Sequence, residues 1–238
     1  MKLSIIIPVY NEEKTVGNML ERVSKVKISG VEKEIIVVDD GSTDATASEV
    51  LKIKDKKIKF IFIKHKKNQG KGVAVRTGLE KASGEYVVIQ DADLEYNPQE
   101  IANLIEPILR GKAEVVYGTR LKRLPNFSRD ERTVRFLLHY MGNKFLSLVT
   151  SVLYFHWVTD METCYKLFPR KALEGMTLDA RGFELEPEIT AKLLKKGYKI
   201  FDVPISTNPR GYEEGKKLNT FRDGFKALWV LVKYRFIN

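Results

Sequence analysis

Short apolar segments alternate with helical patterns through the first 120 residues of this 238-residue chain. We predict strands over 2–8, 34–38, 59–63, 86–90 and 115–117. Helical patterns fill the intervals, for example over 12–25, where apolar residues recur every three or four positions. Strands that alternate with helices indicate a mainly parallel sheet covered by helices on both faces. The expected fold class is therefore α/β.

Polar and charged residues follow the predicted strands, at the point where each strand ends. They are Tyr10 and Glu12, Asp39 and Asp40, Asp91 and Asp93, and Arg120. Because the carboxyl ends of parallel strands meet at one edge of a sheet, these side chains are expected to lie close together. Open sheets of this kind bind ligands at that edge. The agreement among separate segments predicts one ligand site there.

The stretch 86–95 carries the densest group of acids. Its apolar strand runs straight into Asp91 and Asp93, and Glu95 follows two positions later. In an extended segment, residues two apart point the same way, so the three carboxylates would converge on one point. Carboxylate oxygens are the ligands that Mg²⁺ and Mn²⁺ prefer. A solvated turn is the alternative, because the Asn and Pro that come next favour turns.

Two other loops have both a functional and a structural interpretation. Residues 39–42 (Asp-Asp-Gly-Ser) have the composition of a helix-capping turn, yet Asp40 equally suits a hydrogen bond to a base or ribose. Residues 70–72 (Gly-Lys-Gly) would cradle a diphosphate through backbone N–H groups and the Lys71 ammonium, or would form an ordinary surface loop. The sequence lacks both the Walker spacing and the GxGxxG fingerprint, so neither of these nucleotide motifs is predicted.

The second half of the chain is less regular. We predict helices over 133–151, 185–196 and 221–234, a strand over 199–204, a loop entering a short strand over 160–169, and a polar loop over 208–219. The first of these helices has Arg135, His139 and Lys144 among its apolar residues, which is typical of an amphipathic helix with a basic side. Such cations suit an anionic partner or merely a solvated face. No linker or repeat divides the sequence, so a single domain over 1–238 is expected.

The net charge of +10 favours an anionic partner, such as nucleotide phosphates, an acidic membrane surface or nucleic acid. Nucleic acid is not expected, because no recognition motif is present and acids at the strand ends would repel its phosphates. The single cysteine, Cys164, excludes an intramolecular disulfide and a zinc cluster of cysteines. No run approaches the roughly 18 uninterrupted apolar residues of a membrane-spanning helix.

Taken together, the motifs resemble those of the inverting family-two glycosyltransferases, which have the GT-A fold. The matching segments of the first half are IIIPVYNEE at 5–13, VVDDGSTD at 37–44, NQGKG at 68–72, QDADLEYNP at 90–98 and GTR at 118–120. The second half is more specifically similar to the polyprenyl-phosphate hexosyltransferases, a group that includes the dolichol-phosphate mannose synthases. That similarity rests on Gly142-Asn143 in the basic helix, TDMETCYKLF at 159–168, GFELEPE at 182–188, and VPIS and PRGYEEGKK within 203–217.

The resemblance implies a nucleotide-sugar half over 1–120, an acceptor and membrane-facing half over 121–238, and a role for each matching residue. Binding of the nucleotide sugar would fall to Pro8, Tyr10, Glu12, Asp39, Asp40, Lys71, Asp91, Ala92, Arg210, and Lys216 or Lys217. Mg²⁺ or Mn²⁺ would be held by Asp91, Asp93 and Glu95, and the acceptor phosphate by Arg120, Arg135 and His139. Catalysis would depend on Asp91, Asp93, Arg120 and Arg135, with Asp160 and Glu184 contacting the sugar or supporting those that do. Glu95 and His139 depart from the family pattern, which often has Gln and Ser there.

The reaction that the resemblance implies is a metal-dependent, inverting transfer of a hexose. The donor would be GDP-mannose or UDP-glucose, and the acceptor a dolichyl or polyprenyl phosphate. Because that phosphate is already anionic, it needs no strong general base. The alternative is a family member that acts on a soluble or protein-bound sugar. A lipid acceptor further implies a peripheral enzyme on the cytoplasmic face of the membrane, held by the helix over 133–151 and the aromatic, basic segment 229–237.

Overall fold

A seven-stranded sheet organises the structure of this chain. The computed structural model describes residues 1–53, 58–121, 134–208 and 220–237, without the side chains of 134–136, 220 and 221. The strands are β1 (Lys2–Val9), β2 (Glu32–Asp39), β3 (Lys59–Lys64), β4 (Tyr86–Ile89), β5 (Val115–Thr119), β6 (Lys166–Pro169) and β7 (Ile200–Pro204). They lie in the order β3-β2-β1-β4-β6-β5-β7. Neighbours are parallel except where β6 runs antiparallel to β4 and β5.

Helices cover the sheet, as the alternating pattern predicts. They are α1 (Val16–Ser24), α2 (Thr46–Leu51), α3 (Lys71–Lys81), α4 (Ile101–Leu109), α5 (Val134–Tyr154), α6 (Leu185–Lys195) and α7 (Thr220–Phe236), with short 3₁₀ turns at Pro98–Glu100 and Arg170–Leu173. The prediction of an α/β fold with a mainly parallel sheet is confirmed.

Strand β1 lies between β2 and β4 and is buried on both faces. Its run of three isoleucines, Ile5 to Ile7, has no exposed surface, which explains why the sequence is uniformly apolar rather than alternating. Helix α3 packs on this strand so closely that a Cβ at Gly78 would lie 2.5 Å from Cγ2 of Ile6. A glycine is therefore required there, because the helix would otherwise be pushed away from the sheet.

Helix α1 begins later than the helical pattern predicts, at Val16 rather than at Glu12. The preceding residues are held by the loop after β2 and by the first residue of α2. The backbone N–H of Asn11 donates to Oγ of Ser42 (2.9 Å), and that of Glu12 donates to Oγ1 of Thr46 (2.8 Å). These contacts between loops replace the first helical turn, and they bring the carboxyl ends of β1 and β2 together.

Helices α5 and α7 pack against each other and present apolar side chains outward. The hydroxyl of Tyr154 donates to the carbonyl of Leu231 (2.8 Å), and the Arg235 guanidinium lies 5.8 Å from the ring centre of Phe155. We call the exposed large apolar residues of these helices and the turn after α5 the outer face: Leu138, Met141, Phe145, Leu148, Val152, Phe155, Trp157, Phe225, Trp229 and Phe236. Among the described helices, none has both the length and the apolar character needed to cross a bilayer.

Candidate active site

A cavity of about 490 Å³ opens at the carboxyl ends of the parallel strands. Most residues that the sequence singles out line it: Pro8, Tyr10, Glu12, Asp40, Lys71, Asp91, Ala92, Asp93, Glu95, Arg120, His139 and Glu184. They come from separate loops that converge because parallel strands end at the same edge. We call this space the main cavity.

Lys71, the first residue of α3, forms an ion pair with Asp91, which follows β4. Nζ of Lys71 lies 2.7 Å from Oδ1 of Asp91 and 3.3 Å from Oε1 of Glu186. Burial alone would lower the pKa of Lys71, but the two carboxylates hold it well above its usual range. The sequence pattern alone gives Glu186 no role, although the residue lies within the GFELEPE motif.

The acids after β4 are not extended, contrary to the sequence prediction. The strand ends at Ile89, and Oδ1 of Asp93 accepts a hydrogen bond from the backbone N–H of Glu95 (3.0 Å). Leu94 between them has a φ of 64°, in the left-handed region. The chain therefore turns, and the described residues contain no ready group of three carboxylate, histidine or cysteine side chains around one point.

The two glycines beside Lys71 serve packing. The N–H of Gly70 donates to Oδ2 of Asp40 (2.7 Å), and the N–H of Gly72 donates to the carbonyl of Arg181 (2.8 Å). A Cβ on Gly72 would lie only 2.2 Å from the carbonyl oxygen of Ala180. Both N–H groups therefore already donate within the protein in this structure, and the diphosphate cradle over 70–72 stays a prediction. The Lys71 ammonium nevertheless lines the cavity.

Asp40 is buried and its carboxylate holds a loop together. Besides Gly70, it accepts a hydrogen bond from the N–H of Gln69 (3.0 Å), and it lies 2.8 Å from Nδ1 of His65. Its neighbour Asp39 accepts the N–H of Ser42 (2.8 Å), so residues 39–42 do form a side-chain-supported turn. That turn does not cap α2, which begins several residues later.

Arg120 is oriented by a buried carboxylate. Nε and Nη2 of Arg120 lie 2.7 and 2.8 Å from the two oxygens of Asp160, which has no exposed surface. Burial alone would raise the pKa of Asp160, but the guanidinium outweighs it and keeps that pKa below its usual range. The Tyr96 ring lies 5.8 Å from the guanidinium carbon. Arg120 therefore reaches the main cavity in one fixed orientation, and Asp160 positions it.

A second buried network lies behind this pair. Lys166 has no exposed surface, yet its ammonium lies 2.8 Å from Oε2 of Glu186 and 4.8 Å from the Tyr117 ring centre. Glu162 lines the main cavity, and burial raises its pKa to about 7. One of its oxygens is buried without a hydrogen-bond partner among the described residues. A lysine inside the apolar run of β6 was the sequence sign of this network.

Glu184 has a local structural contact. Its carboxylate accepts the backbone N–H groups of Arg181 (3.1 Å) and Gly182 (3.0 Å), which fixes the loop before α6. His139 lies on α5 and reaches the wall of the main cavity. The side chain of Arg135, and all of Arg210, Lys216 and Lys217, lie outside the described residues.

The family model described as "Glycosyl transferase family 2" matches residues 4–176. The chain belongs to glycosyltransferase family 2. The prediction that it is a glycosyltransferase is confirmed, and so is the resemblance on which that prediction depended.

Relatives of this glycosyltransferase match it along nearly its whole length. A UDP-N-acetylglucosamine–dolichyl-phosphate N-acetylglucosaminyltransferase of Methanococcus voltae is 31% identical, over 96% of this chain and 94% of that protein. A dolichol-phosphate mannosyltransferase of Pyrococcus furiosus is 29% identical over 98% of this chain, which spans 64% of that longer protein.

Solved structures confirm the expected GT-A fold of this glycosyltransferase. Glucosyl-3-phosphoglycerate synthase from Mycobacterium tuberculosis, in complex with Mn²⁺, UDP and phosphoglyceric acid, matches all of this chain and 79% of its own with a TM-score of 0.72. A structure of the same enzyme with Mg²⁺ and UDP matches with a TM-score of 0.69. At 19% identity these likenesses concern the fold.

Proposed function

We propose that this glycosyltransferase moves a sugar from a nucleoside-diphosphate donor to a polyprenyl phosphate. The observation that carries the proposal is the shared wall of the main cavity, where the acids Asp91 and Asp93 and the cations Lys71 and Arg120 face one space. Such a site suits a reaction in which a diphosphate leaves and a phosphate attacks. The activities in the names of the M. voltae and P. furiosus relatives support the same class of acceptor.

A divalent cation, Mg²⁺ or Mn²⁺, fits the acids present. Mg²⁺ in such sites is usually bound by one or two carboxylates together with substrate phosphates and waters, so a ready three-carboxylate cage is not required. Asp91 and Asp93 would supply the carboxylates, and Glu95 stands beside them on the cavity wall. When bound, the cation would neutralise charge that develops on the leaving diphosphate.

Lys71 and Arg120 would have different roles in this reaction. Lys71 contributes a fixed positive charge beside Asp91, where the donor diphosphate would lie. Arg120, held rigid by Asp160, would bind the phosphate of the acceptor. Because that phosphate is anionic at neutral pH, its oxygen attacks the anomeric carbon as the bond to the diphosphate breaks, and the configuration inverts.

The lipid acceptor also gives the outer face a role. We infer that the enzyme is peripheral and sits on the cytoplasmic surface of a membrane through α5 and α7. Contiguous exposed apolar surface of this kind is rare on proteins that stay in solution alone. Its aromatic members, with Arg235 beside them, have the composition of an interfacial segment.

The test is transfer of labelled sugar from GDP-mannose, UDP-glucose or UDP-N-acetylglucosamine to a polyprenyl phosphate, with Mg²⁺, Mn²⁺ or EDTA. We expect one donor to give a lipid-linked product that EDTA abolishes. The double variant Asp91→Asn/Asp93→Asn should lose at least about 1,000-fold in kcat/KM, since two charge-bearing groups are removed. Glu106→Gln, an exposed acid on α4, is the matched control and should retain full activity. Transfer to soluble sugars but to no polyprenyl phosphate would overturn the proposal.

A further inference from the structure

Glu162 presents a carboxyl group to the main cavity without using it to hold the fold together. The residue lines the cavity, and its Oε1 is buried without a hydrogen-bond partner among the described residues. Buried polar atoms are normally paired, because an unpaired one has lost its water and gained nothing in return. A ligand of the cavity is therefore the natural partner of this carboxyl group.

The segment that carries Glu162, between α5 and β6, is fixed on both sides of it. The backbone N–H of Met161 donates to Oγ of Ser147 on α5 (3.0 Å), and that of Cys164 donates to Oη of Tyr96 (3.2 Å). All four of these residues are buried. A side chain on so firmly held a backbone keeps its place, which is a condition for recognising a ligand group by its position.

Lys166 fixes the same segment from within the protein. Its ammonium donates to the backbone carbonyls of Met161 (2.8 Å) and Thr163, the residues on either side of Glu162. Lys166 has no exposed surface, so these charge-assisted hydrogen bonds serve the backbone. The lysine of β6 thus supports the turn, and the Glu162 side chain is the part of the turn that reaches the cavity.

The charges of two ion pairs act on Glu162, namely Arg120 with Asp160 and Lys166 with Glu186. In the proposed function, Arg120 faces the acceptor phosphate, and Glu186 also contacts the lysine that faces the donor diphosphate. The transferred sugar has to lie between those two phosphates, because its anomeric carbon exchanges one for the other. Glu162 is near both pairs and therefore lies beside the place of the sugar.

We propose that Glu162 binds a hydroxyl group of the transferred sugar and so contributes to the choice of sugar. The inference rests on the proposed function and adds to it a residue that recognises the sugar. A phosphate is a poor partner for a carboxylate, whereas a neutral hydroxyl both donates and accepts. Burial raises the pKa of Glu162 to about 7, so near neutral pH part of the population carries a carboxyl proton that can itself be donated. A sugar without the matching hydroxyl would leave the buried oxygen unpaired, which makes such a contact selective.

The test combines variants of Glu162 with changes in the sugar. The donor is GDP-mannose, UDP-glucose or UDP-N-acetylglucosamine, whichever the wild type transfers, together with deoxy analogues that each lack one sugar hydroxyl. With the intact donor, Glu162→Leu should lower kcat/KM at least about tenfold, while affinity for the free nucleoside diphosphate stays within about twofold. With one of the deoxy analogues, wild type and Glu162→Leu should differ by less than about twofold, because that analogue already lacks the other half of the contact. Glu106→Gln, an exposed acid on α4, is the control and should behave like the wild type with every donor.

Two results would overturn the role of Glu162. One is a loss in Glu162→Leu that is equal for the intact donor and for every deoxy analogue, and the other is a loss of nucleoside diphosphate affinity. Should Glu162→Leu not fold, Glu162→Gln keeps the shape and replaces one oxygen by an amide nitrogen. That variant should change the relative kcat/KM at one hydroxyl at least about threefold, and unchanged preferences at every hydroxyl would contradict the contact.

Failure of the proposed function is a different result. In that case no polyprenyl phosphate accepts a sugar from the wild-type enzyme. Equilibrium binding of the intact and deoxy donors to wild type and Glu162→Leu then still decides whether Glu162 contacts the sugar. An affinity difference between the two proteins that disappears for one deoxy donor supports the contact, and a difference that persists for all of them contradicts it.

Discussion

Arg120 illustrates how single residues of this site depend on buried partners. Its guanidinium faces the main cavity in one orientation because two of its nitrogens donate hydrogen bonds to the Asp160 carboxylate. The pair is costly to bury, but losing one member costs more, because the other charge then remains buried without compensation.

Asp160→Asn should therefore lower the free energy of unfolding by about 3–5 kcal/mol, since Arg120 keeps its charge and loses its counterion. Urea denaturation followed by circular dichroism measures the change. Glu106→Gln, which breaks the exposed Glu106–Arg110 pair, is the control and should cost less than about 1 kcal/mol. Equal effects of the two substitutions would show that burial does not govern the Asp160 pair.

Glu162 should make stability depend on pH. In the folded protein, burial and the charge of Glu186 raise its pKa from 4.5 to about 7. The charges of Lys166 and Arg120 oppose this rise without cancelling it. The unfolded chain gives up this proton at lower pH, so the wild type loses stability as pH rises from about 4.5 to about 7, by up to about 3 kcal/mol. Above pH 7 no further loss is expected from this group.

Glu162→Gln removes that ionisation. The stability of the variant relative to the wild type should therefore increase between pH 5 and pH 8, measured by urea denaturation at each pH. The neighbouring Asp160 contributes in the opposite direction, because its lowered pKa adds stability that is lost only on acidification. Stability curves that stay parallel over this range would refute the role of Glu162.

At the scale of elements, the alternating pattern predicts the strands well because each is a local apolar run. The place of β6 is different. It enters antiparallel between β4 and β5, from a segment about 50 residues further along the chain, and no local pattern encodes such a pairing. The pairing of Lys166 with Glu186 is unpredictable for the same reason, since it joins β6 to α6, although a lysine among apolar residues does indicate a buried charge. The place of Asp91 and Arg120 in the site can be predicted because each residue follows an apolar run whose end marks the end of a strand.

The loop over 65–70 depends on Asp40, which suggests a test of how this aspartate acts. If it serves by holding the loop, then His65→Leu, at a residue outside the cavity lining, should raise the donor KM and speed exchange of the Gln69 and Gly70 amides at least about tenfold. Hydrogen-exchange mass spectrometry and donor kinetics measure the two effects. Thr77→Val removes only the other partner of His65 and should have a smaller effect. An unchanged donor KM in His65→Leu would instead favour direct contact of Asp40 with the nucleotide.

At the scale of the whole molecule, the main cavity and the outer face share helix α5. His139 of α5 lines the main cavity, and the same helix carries Leu138, Met141 and Phe145 of the outer face. With the function proposed above, this arrangement would let a donor from water and an acceptor from the membrane meet at one site. The net charge of +10 adds attraction to an anionic lipid surface.

The outer face should accordingly determine membrane binding. Wild-type enzyme should co-sediment with vesicles of anionic lipid, and high salt should weaken the binding without abolishing it, because an apolar contribution remains. The triple variant Phe155→Ser/Trp229→Ser/Phe236→Ser removes three side chains that are 86%, 67% and 78% exposed, so it should bind at least about tenfold more weakly and keep its nucleotide affinity. Leu51→Ser/Leu109→Ser removes exposed apolar side chains elsewhere and should bind like the wild type. Equal loss in both variants would mean that general surface hydrophobicity, rather than this face, holds the enzyme to the membrane.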